Sequence, residues 1–269
     1  MPKNVLVVGM PRSGTSMTTS IFANNGYFVA ENTDKQLRSG DEFNPSGYWE
    51  AEPLIKSNVE ILNSAGFNFD NTWLFEEITD EQASSIYKVK PFPEHIKLIN
   101  NFNENSPWVW KDPRLCYTLG YWWPLLNPET TAVLFLKREP KEIYQSFQRL
   151  KWRTTSQKDK LDLQQRIEDH LEAAKKAIDK YIIPHITIHY SDFKTAPKET
   201  VNKINEFFDL NLTIKDLGYK NKLNNTSING KINKVINKVG DILSPEIRSK
   251  IKKIIPTFIW KIINPNRYS

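Results

Sequence analysis

The sequence holds one cysteine, Cys116, in 269 residues. An internal disulfide framework is therefore excluded, and the chain suits a reducing compartment. No run is long and apolar enough to span a membrane, and a hydrophobic strand starting at residue 4 leaves no room for a secretory leader. The sequons at Asn211, Asn224 and Asn225 then carry no glycosylation signal, and the chain is predicted to be cytoplasmic. One-signed charge is missing from most of the chain. Residues 218–269 hold eleven Lys and Arg against two acids, Asp241 and Glu246, so the net +6 comes from this last fifth and the remainder is at −3. The length suits one α/β domain with additions, or two small domains.

A lysine is also missing, from a place that usually has one. Val5-Leu6-Val7-Val8 is short, β-branched and without polar alternation, as suits a strand buried on both faces of a parallel sheet. It breaks into Gly9-Met10-Pro11-Arg12-Ser13-Gly14-Thr15-Ser16, after which Met17, Ile21 and Phe22 mark the buried stripe of a helix. Strand, glycine loop and helix together present backbone N–H groups and a helix N-terminus to an anion. The two glycines have phosphate-loop spacing. The ending is not that of a nucleoside triphosphatase, because Thr15 stands where the motif has lysine and the loop's only cation is Arg12. A different phosphate ligand is expected.

Further along, Phe43-Asn44-Pro45-Ser46-Gly47-Tyr48-Trp49-Glu50 contains a Pro-Ser-Gly turn, which sets Glu50 at a loop–helix junction. There it either complements a helix N-terminus or faces a ligand cleft. Residues 53–66 and 80–103 have helical periodicity, with Trp73-Leu74-Phe75 between them. Trp108–Trp110 reads as a short inner strand stopped by Pro113, so Lys111, Asp112 and Arg114 fall at its C-terminal end, where open parallel sheets hold ligands. A second strong strand, Thr131–Leu136, ends in Lys137-Arg138-Glu139-Pro140. Pro140 opens a helix with Ile143, Phe147 and Leu150 on its buried face. Arg138 and Ser146 can then address one phosphate through a guanidinium fork and a hydroxyl.

These segments resemble the sulfotransferases that use 3′-phosphoadenosine 5′-phosphosulfate (PAPS). In that family the 5′-phosphosulfate loop is similar to Pro11-Arg12-Ser13-Gly14-Thr15-Ser16, and the 3′-phosphate motif to Arg138-Glu139-Pro140 with Ser146. Lys111-Asp112-Pro113 resembles the Lys-Asp-Pro segment of the tyrosylprotein and bacterial branch. Gly47-Tyr48-Trp49-Glu50 is similar to a Gly-aromatic-aromatic-Glu element of bacterial members. The resemblance covers roughly residues 4–210 and rests on the order and spacing of these segments. It implies a P-loop-like three-layer α/β/α fold with a central parallel sheet of about four to five strands, with 1–217 as the PAPS domain. Residues 218–269 are read as a basic helical extension packing on the same domain.

Beyond the motifs, a helix of about 158–181 carries Leu161, Leu163, Ile167, Leu171, Ala174 and Ile178 on one side. Pro184–Tyr190 is another inner strand. The resemblance brings Tyr190 near the adenine, although Ser191 replaces the family's usual glutamate. A helix of about 197–208 follows. No Arg-Lys-Gly segment, by which cytosolic members cover the 3′-phosphate, is found after residue 210, and Lys220 and Lys222 are its candidate stand-ins. Two basic amphipathic helices, over 231–243 and from Ser244 on, pack on the domain or touch a membrane surface.

The chemistry implied is in-line single displacement of a sulfuryl group to an acceptor hydroxyl. Arg12 and the loop N–H groups are expected on the phosphosulfate, Arg138 and Ser146 on the 3′-phosphate, and Lys111 on the bridging oxygen. Glu50 is the expected general base, with Asp112 second and Glu42 third; no histidine falls in a matched position. No metal is expected. Carbohydrate is the favoured acceptor, with Trp49 and Trp110 flanking the site as stacking platforms. Two rivals stand beside this reading. One is a P-loop kinase using Mg·ATP through Asp112 or Asp192. The other is a non-catalytic protein binding membrane or nucleic acid through its basic tail.

Overall fold

The strand from Asn4 to Val8 (β1) lies at the centre of a four-stranded, all-parallel sheet in the order β2-β1-β3-β4. The computed structural model describes residues 3–37, 40, 44, 47–67, 79–150 and 156–218. After β1 come α1 (Thr15–Ala23), α2 (Thr33–Gln36), α3 (Glu52–Ser64), α4 (Asp80–Ile86) and α5 (Pro93–Glu104). Then follow β2 (Val109–Lys111), α6 (Leu115–Trp122), β3 (Thr131–Lys137), α7 (Pro140–Arg149) and α8 (Gln157–Tyr181). The described part closes with β4 (His185–His189), α9 (Asp192–Thr195) and α10 (Pro197–Phe208). This is the expected α/β class, with four strands.

Every residue of β1 is buried, which is why its sequence shows no polar alternation. Leu6 and Val8 join Val133 and Phe135 of β3 in one large core with residues of α3, α5, α6 and α8. Alternation along a strand sends Val5 and Val7 to the other face, where α1 packs and Phe22 meets Phe208 of α10 edge to face at 5.3 Å. Asn4 ties β1 to β2 by accepting hydrogen bonds from Ser106 Oγ (2.8 Å) and the Trp108 N–H (3.0 Å).

The expected helical stretch 80–103 is two helices, because Pro91 and Pro93 interrupt it and Pro93 opens the second. Leu161, assigned to the buried stripe of α8, is exposed; Leu163, Ile167, Ala174 and Ile178 are buried. The expected helices over 231–243 and from Ser244, the Trp73-Leu74-Phe75 segment, Lys220, Lys222 and Glu42 lie outside the described residues. Among the described residues no helix is long and apolar enough to cross a membrane.

Candidate active site

The C-terminal ends of all four strands lie on one edge of the parallel sheet, and the order β2-β1-β3 makes a switch point at β1. Each end carries one of the segments singled out in the sequence. β1 runs into Gly9–Gly14, β2 ends on Lys111, β3 is followed by Arg138, and β4 by Tyr190.

The loop after β1 is anchored at Met10, which is fully buried with Ile143 and Phe147 of α7 and Leu163 and Ile167 of α8. A Cβ on Gly9 would meet the Leu136 carbonyl oxygen at 2.7 Å, so the loop can cross β3 this closely only with glycine. Beneath it Cys116 is fully buried. Burial pushes its thiol up to about 12, with the Gly9 N–H pulling the other way. Gly14 caps α1 in the left-handed conformation (φ 93°), with no side-chain cap and no acid in the first turn. The first-turn N–H groups are thus left for an anion. The Ser13 hydroxyl is buried there with no hydrogen-bond partner, as a donor awaiting a ligand oxygen would be.

Arg12 also has a left-handed backbone (φ 68°), and both its ends are held. Its carbonyl accepts from Arg138 Nη1 at 2.8 Å, and its Nε donates to Ser146 Oγ at 3.0 Å. Arg12, expected on the phosphosulfate, is joined through its Nε to Ser146 of α7. Arg138 donates from Nε to Glu142 (2.8 Å) and lies 4.2 Å from the centroid of the Tyr190 ring, a cation–π distance. One loop, two strand-end and one helix residue are thus mutually fastened.

On the other side of the loop Lys111 and Glu50 form a buried ion pair, 3% and 2% exposed. Lys111 Nζ also donates to the Tyr48 carbonyl (3.1 Å) and to Ser16 Oγ (3.3 Å). Glu50 stands two residues before α3, whose first-turn acid is Glu52. Trp49, between the buried Tyr48 and Glu50, is partly exposed and left-handed at φ 57°. Asp112 is not beside Lys111 in action. Both its oxygens accept from Arg114 Nη1 (2.7 and 2.9 Å), and one also from the Arg114 N–H (2.9 Å). Burial pushes its carboxyl up, Arg114 pulls it down, and Glu50 pushes it up again. Asp192 accepts from the His189 N–H at 3.1 Å and takes a local turn role.

Two placements differ from the sequence reading. Trp110, expected to flank the site, is 1% exposed and packs against Trp108, Trp122 and Phe102 in the core. A strand so short has both faces covered, so its aromatic residues go inward. Arg149, which no motif singled out, lies in the last turn of α7 within electrostatic reach of Arg12, Arg138 and Tyr190. Its signal in the sequence was the three-residue spacing from Ser146, which puts both on one helix face.

A strand–glycine loop–helix site with arginines at neighbouring strand ends defines a P-loop-type transferase of anionic groups. The family model described as "Sulfotransferase family" matches residues 2–214, and the chain belongs to that family and is a sulfotransferase. No protein of curated function matches it. Among solved structures it is similar to the sulfotransferase domain of the Synechococcus PCC 7002 olefin synthase (15% identity, 81% of this chain and 77% of that one, TM-score 0.46). The sulfotransferase domain from the curacin biosynthetic pathway compares at 15% identity, covering 86% and 82%, with TM-score 0.46. Sulfotransferase STF1 from Mycobacterium tuberculosis H37Rv compares at 16% identity, covering 84% and 71%, with TM-score 0.46.

Proposed function

We propose that this sulfotransferase takes its sulfuryl group from PAPS and delivers it to a carbohydrate hydroxyl, with the donor site built within residues 1–217 and 218–269 as a basic extension. The observation that carries the donor reading is the fastening of Arg12, Ser146, Arg138 and Tyr190 around the uncapped start of α1. It supplies two separate anion subsites, as a nucleotide phosphorylated at both the 3′ and 5′ positions requires. The residues fit such a group: a buried orphan hydroxyl at Ser13 and a first helical turn free of acids lie at the 5′ subsite. PAPS, when bound, supplies an activated sulfuryl group on a phosphate leaving group.

In this reading the α1 N–H groups with Ser13, Thr15 and Ser16 hold the 5′-phosphosulfate, while Arg138, Ser146 and Arg12 hold the 3′-phosphate. Lys111 donates to the bridging oxygen and stabilises its growing charge as the bond to sulfur breaks. Glu50 takes the proton of the acceptor hydroxyl as its oxygen bonds to sulfur, leaving a sulfate ester and adenosine 3′,5′-bisphosphate. For this the Lys111–Glu50 pair must part, each group trading the other for a substrate atom. Asp112 acts through Arg114, holding the end of β2. Trp49, partly exposed beside Glu50, is the acceptor's stacking face.

Thermal unfolding of the full chain with adenosine 3′,5′-bisphosphate, and separately with Mg·ATP, tests the donor. A ligand at a hundred times its Kd adds about 2.7 kcal/mol, so a rise with the bisphosphate alone is expected. A rise with Mg·ATP alone overturns the PAPS reading. For the acceptor, Trp49→Ala is expected to raise KM for a glycan at least about fivefold with kcat within about twofold. An unchanged KM sinks the stacking role.

A further inference from the structure

On the buried face of α3, Leu54, Ile61 and Leu62 join the large core, and Asn58 stands among them, fully buried. Its Oδ1 accepts a hydrogen bond from the Thr118 hydroxyl at 2.7 Å and another from Trp122 Nε1 at 2.8 Å. The two donors lie one turn apart on α6, so a single oxygen spans both. Among the described residues the buried Nδ2 makes no hydrogen bond of normal geometry, but it faces Asp112 closely enough to pull that carboxyl down. An apolar residue of the same size would fill this space, and a buried amide is the costlier choice. What the amide adds is register, because only one axial setting of α3 against α6 satisfies both bonds.

That register matters through what the two helices carry at their starts. α3 begins two residues after Glu50, and α6 begins four residues after Lys111. Glu50 and Lys111 form the buried ion pair across the gap between them. The Thr118 hydroxyl also lies 3.2 Å from the Arg114 carbonyl, and Arg114 holds both oxygens of Asp112, the residue next to Lys111. A slip of α3 along α6 would therefore carry Glu50 past Lys111.

We propose that Asn58 is a positioning residue which, by locking α3 to α6, sets Glu50 against Lys111. Its consequence for catalysis rests on the reading above of that pair as proton acceptor and bridging-oxygen donor.

The Glu50–Lys111 coupling tests this directly. It is read in urea unfolding of the full chain as a double-mutant cycle of Glu50→Leu and Lys111→Met, run in the parent and again in Asn58→Leu. A residue that only fills the core would lower stability and leave the coupling as it was, whereas Asn58→Leu is expected to cut it to less than about half. Unchanged coupling overturns the assignment. In transfer from PAPS to a glycan, Asn58→Leu is expected to lose at least about tenfold in kcat. Its affinity for adenosine 3′,5′-bisphosphate, by calorimetry, is expected to stay within about twofold of the parent. A fall in that affinity in step with kcat also overturns the assignment, since the defect then lies in the donor's seat. Should Asn58→Leu not unfold cooperatively, Thr118→Val removes one of the two bonds with little change of shape. It is expected to weaken the coupling and to lower kcat at least about threefold, and parent-like values of both overturn the assignment. Weakened coupling with parent-like kcat upholds Asn58 as the residue that positions the pair and removes the pair from the chemistry, so the two readings fail separately.

Discussion

The Tyr190 ring occupies the space that a Cβ on Gly14 would need, with Cδ2 and Cε2 each 2.3 Å from that position. The end of β4 thus closes against the last residue of the phosphate loop, and the loop can pass only because Gly14 has no side chain. Its left-handed backbone (φ 93°) asks for glycine a second time.

Gly14→Ala is therefore expected to lose bisphosphate affinity by at least about tenfold, and to melt about 2–8 °C lower from the backbone alone. Adding Tyr190→Ala removes the ring clash but not the backbone strain, so the double variant is expected to recover only the part of the stability lost to the clash, without recovering affinity. Calorimetry and melting curves of both variants check this. Parent-like binding by Gly14→Ala would show that the loop is not the donor's seat.

Glu50→Gln is expected to keep the affinity for the bisphosphate while turnover falls at least about tenfold, as removal of a general base requires. A coupled sulfuryl-transfer assay beside calorimetry separates the two. Parent-like turnover would leave Glu50 as a partner of Lys111 and nothing more.

The same pair has a stability signature. Removing one member of a buried ion pair strands the other charge, at a cost of about 3–5 kcal/mol, whereas replacing both with apolar groups of like size is often neutral. Lys111→Met is expected to be destabilised on that scale, and Lys111→Met with Glu50→Leu to lie much closer to the parent in urea unfolding. Equal losses in the two would mean that Lys111 is held by Ser16 and the Tyr48 carbonyl rather than by charge.

A separate pH dependence comes from the interface of α6 and α8. His170 is buried there, donating from Nδ1 to the Arg166 carbonyl at 2.7 Å beside the Tyr117 hydroxyl. Burial lowers its pKa from 6.5 to about 4. The unfolded chain takes up the proton first, so the contribution is whole above about pH 6.5 and is lost as the pH falls toward 4. A loss of about 3 kcal/mol between those limits is expected in urea unfolding at stepped pH. In His170→Gln that part of the pH slope is expected to disappear; an unchanged slope would assign it to carboxylates instead.

Much of this site is legible in the residues, because open parallel sheets bring strand ends together. Once Val5–Val8, Trp108–Trp110, Thr131–Leu136 and the strand before Tyr190 are recognised, Gly9–Gly14, Lys111, Arg138 and Tyr190 must meet on one edge. Spacing also locates Ser146 on the helix face behind Arg138. Side-chain direction between elements is another matter, since no periodicity records it. Trp110 and Trp49 look alike in sequence, yet one is core and the other sits at a partly exposed left-handed turn. Asp112 reads as a second carboxylate for catalysis until Arg114, two residues on, is seen to take both its oxygens. Arg149 went unnoticed because its relation to Arg12 and Arg138 exists only once α7 is laid against the loop.

The one cysteine of the chain gains a meaning from its place under the loop. Cys116 is sealed from solvent in the first turn of α6, within the influence of the Gly9 N–H at the start of the phosphate loop. A thiol reagent can reach it only when the packing around the start of α6 opens. The rate of its alkylation is therefore a clock on the opening of the core beneath the phosphate loop, already built into the chain and requiring no added label.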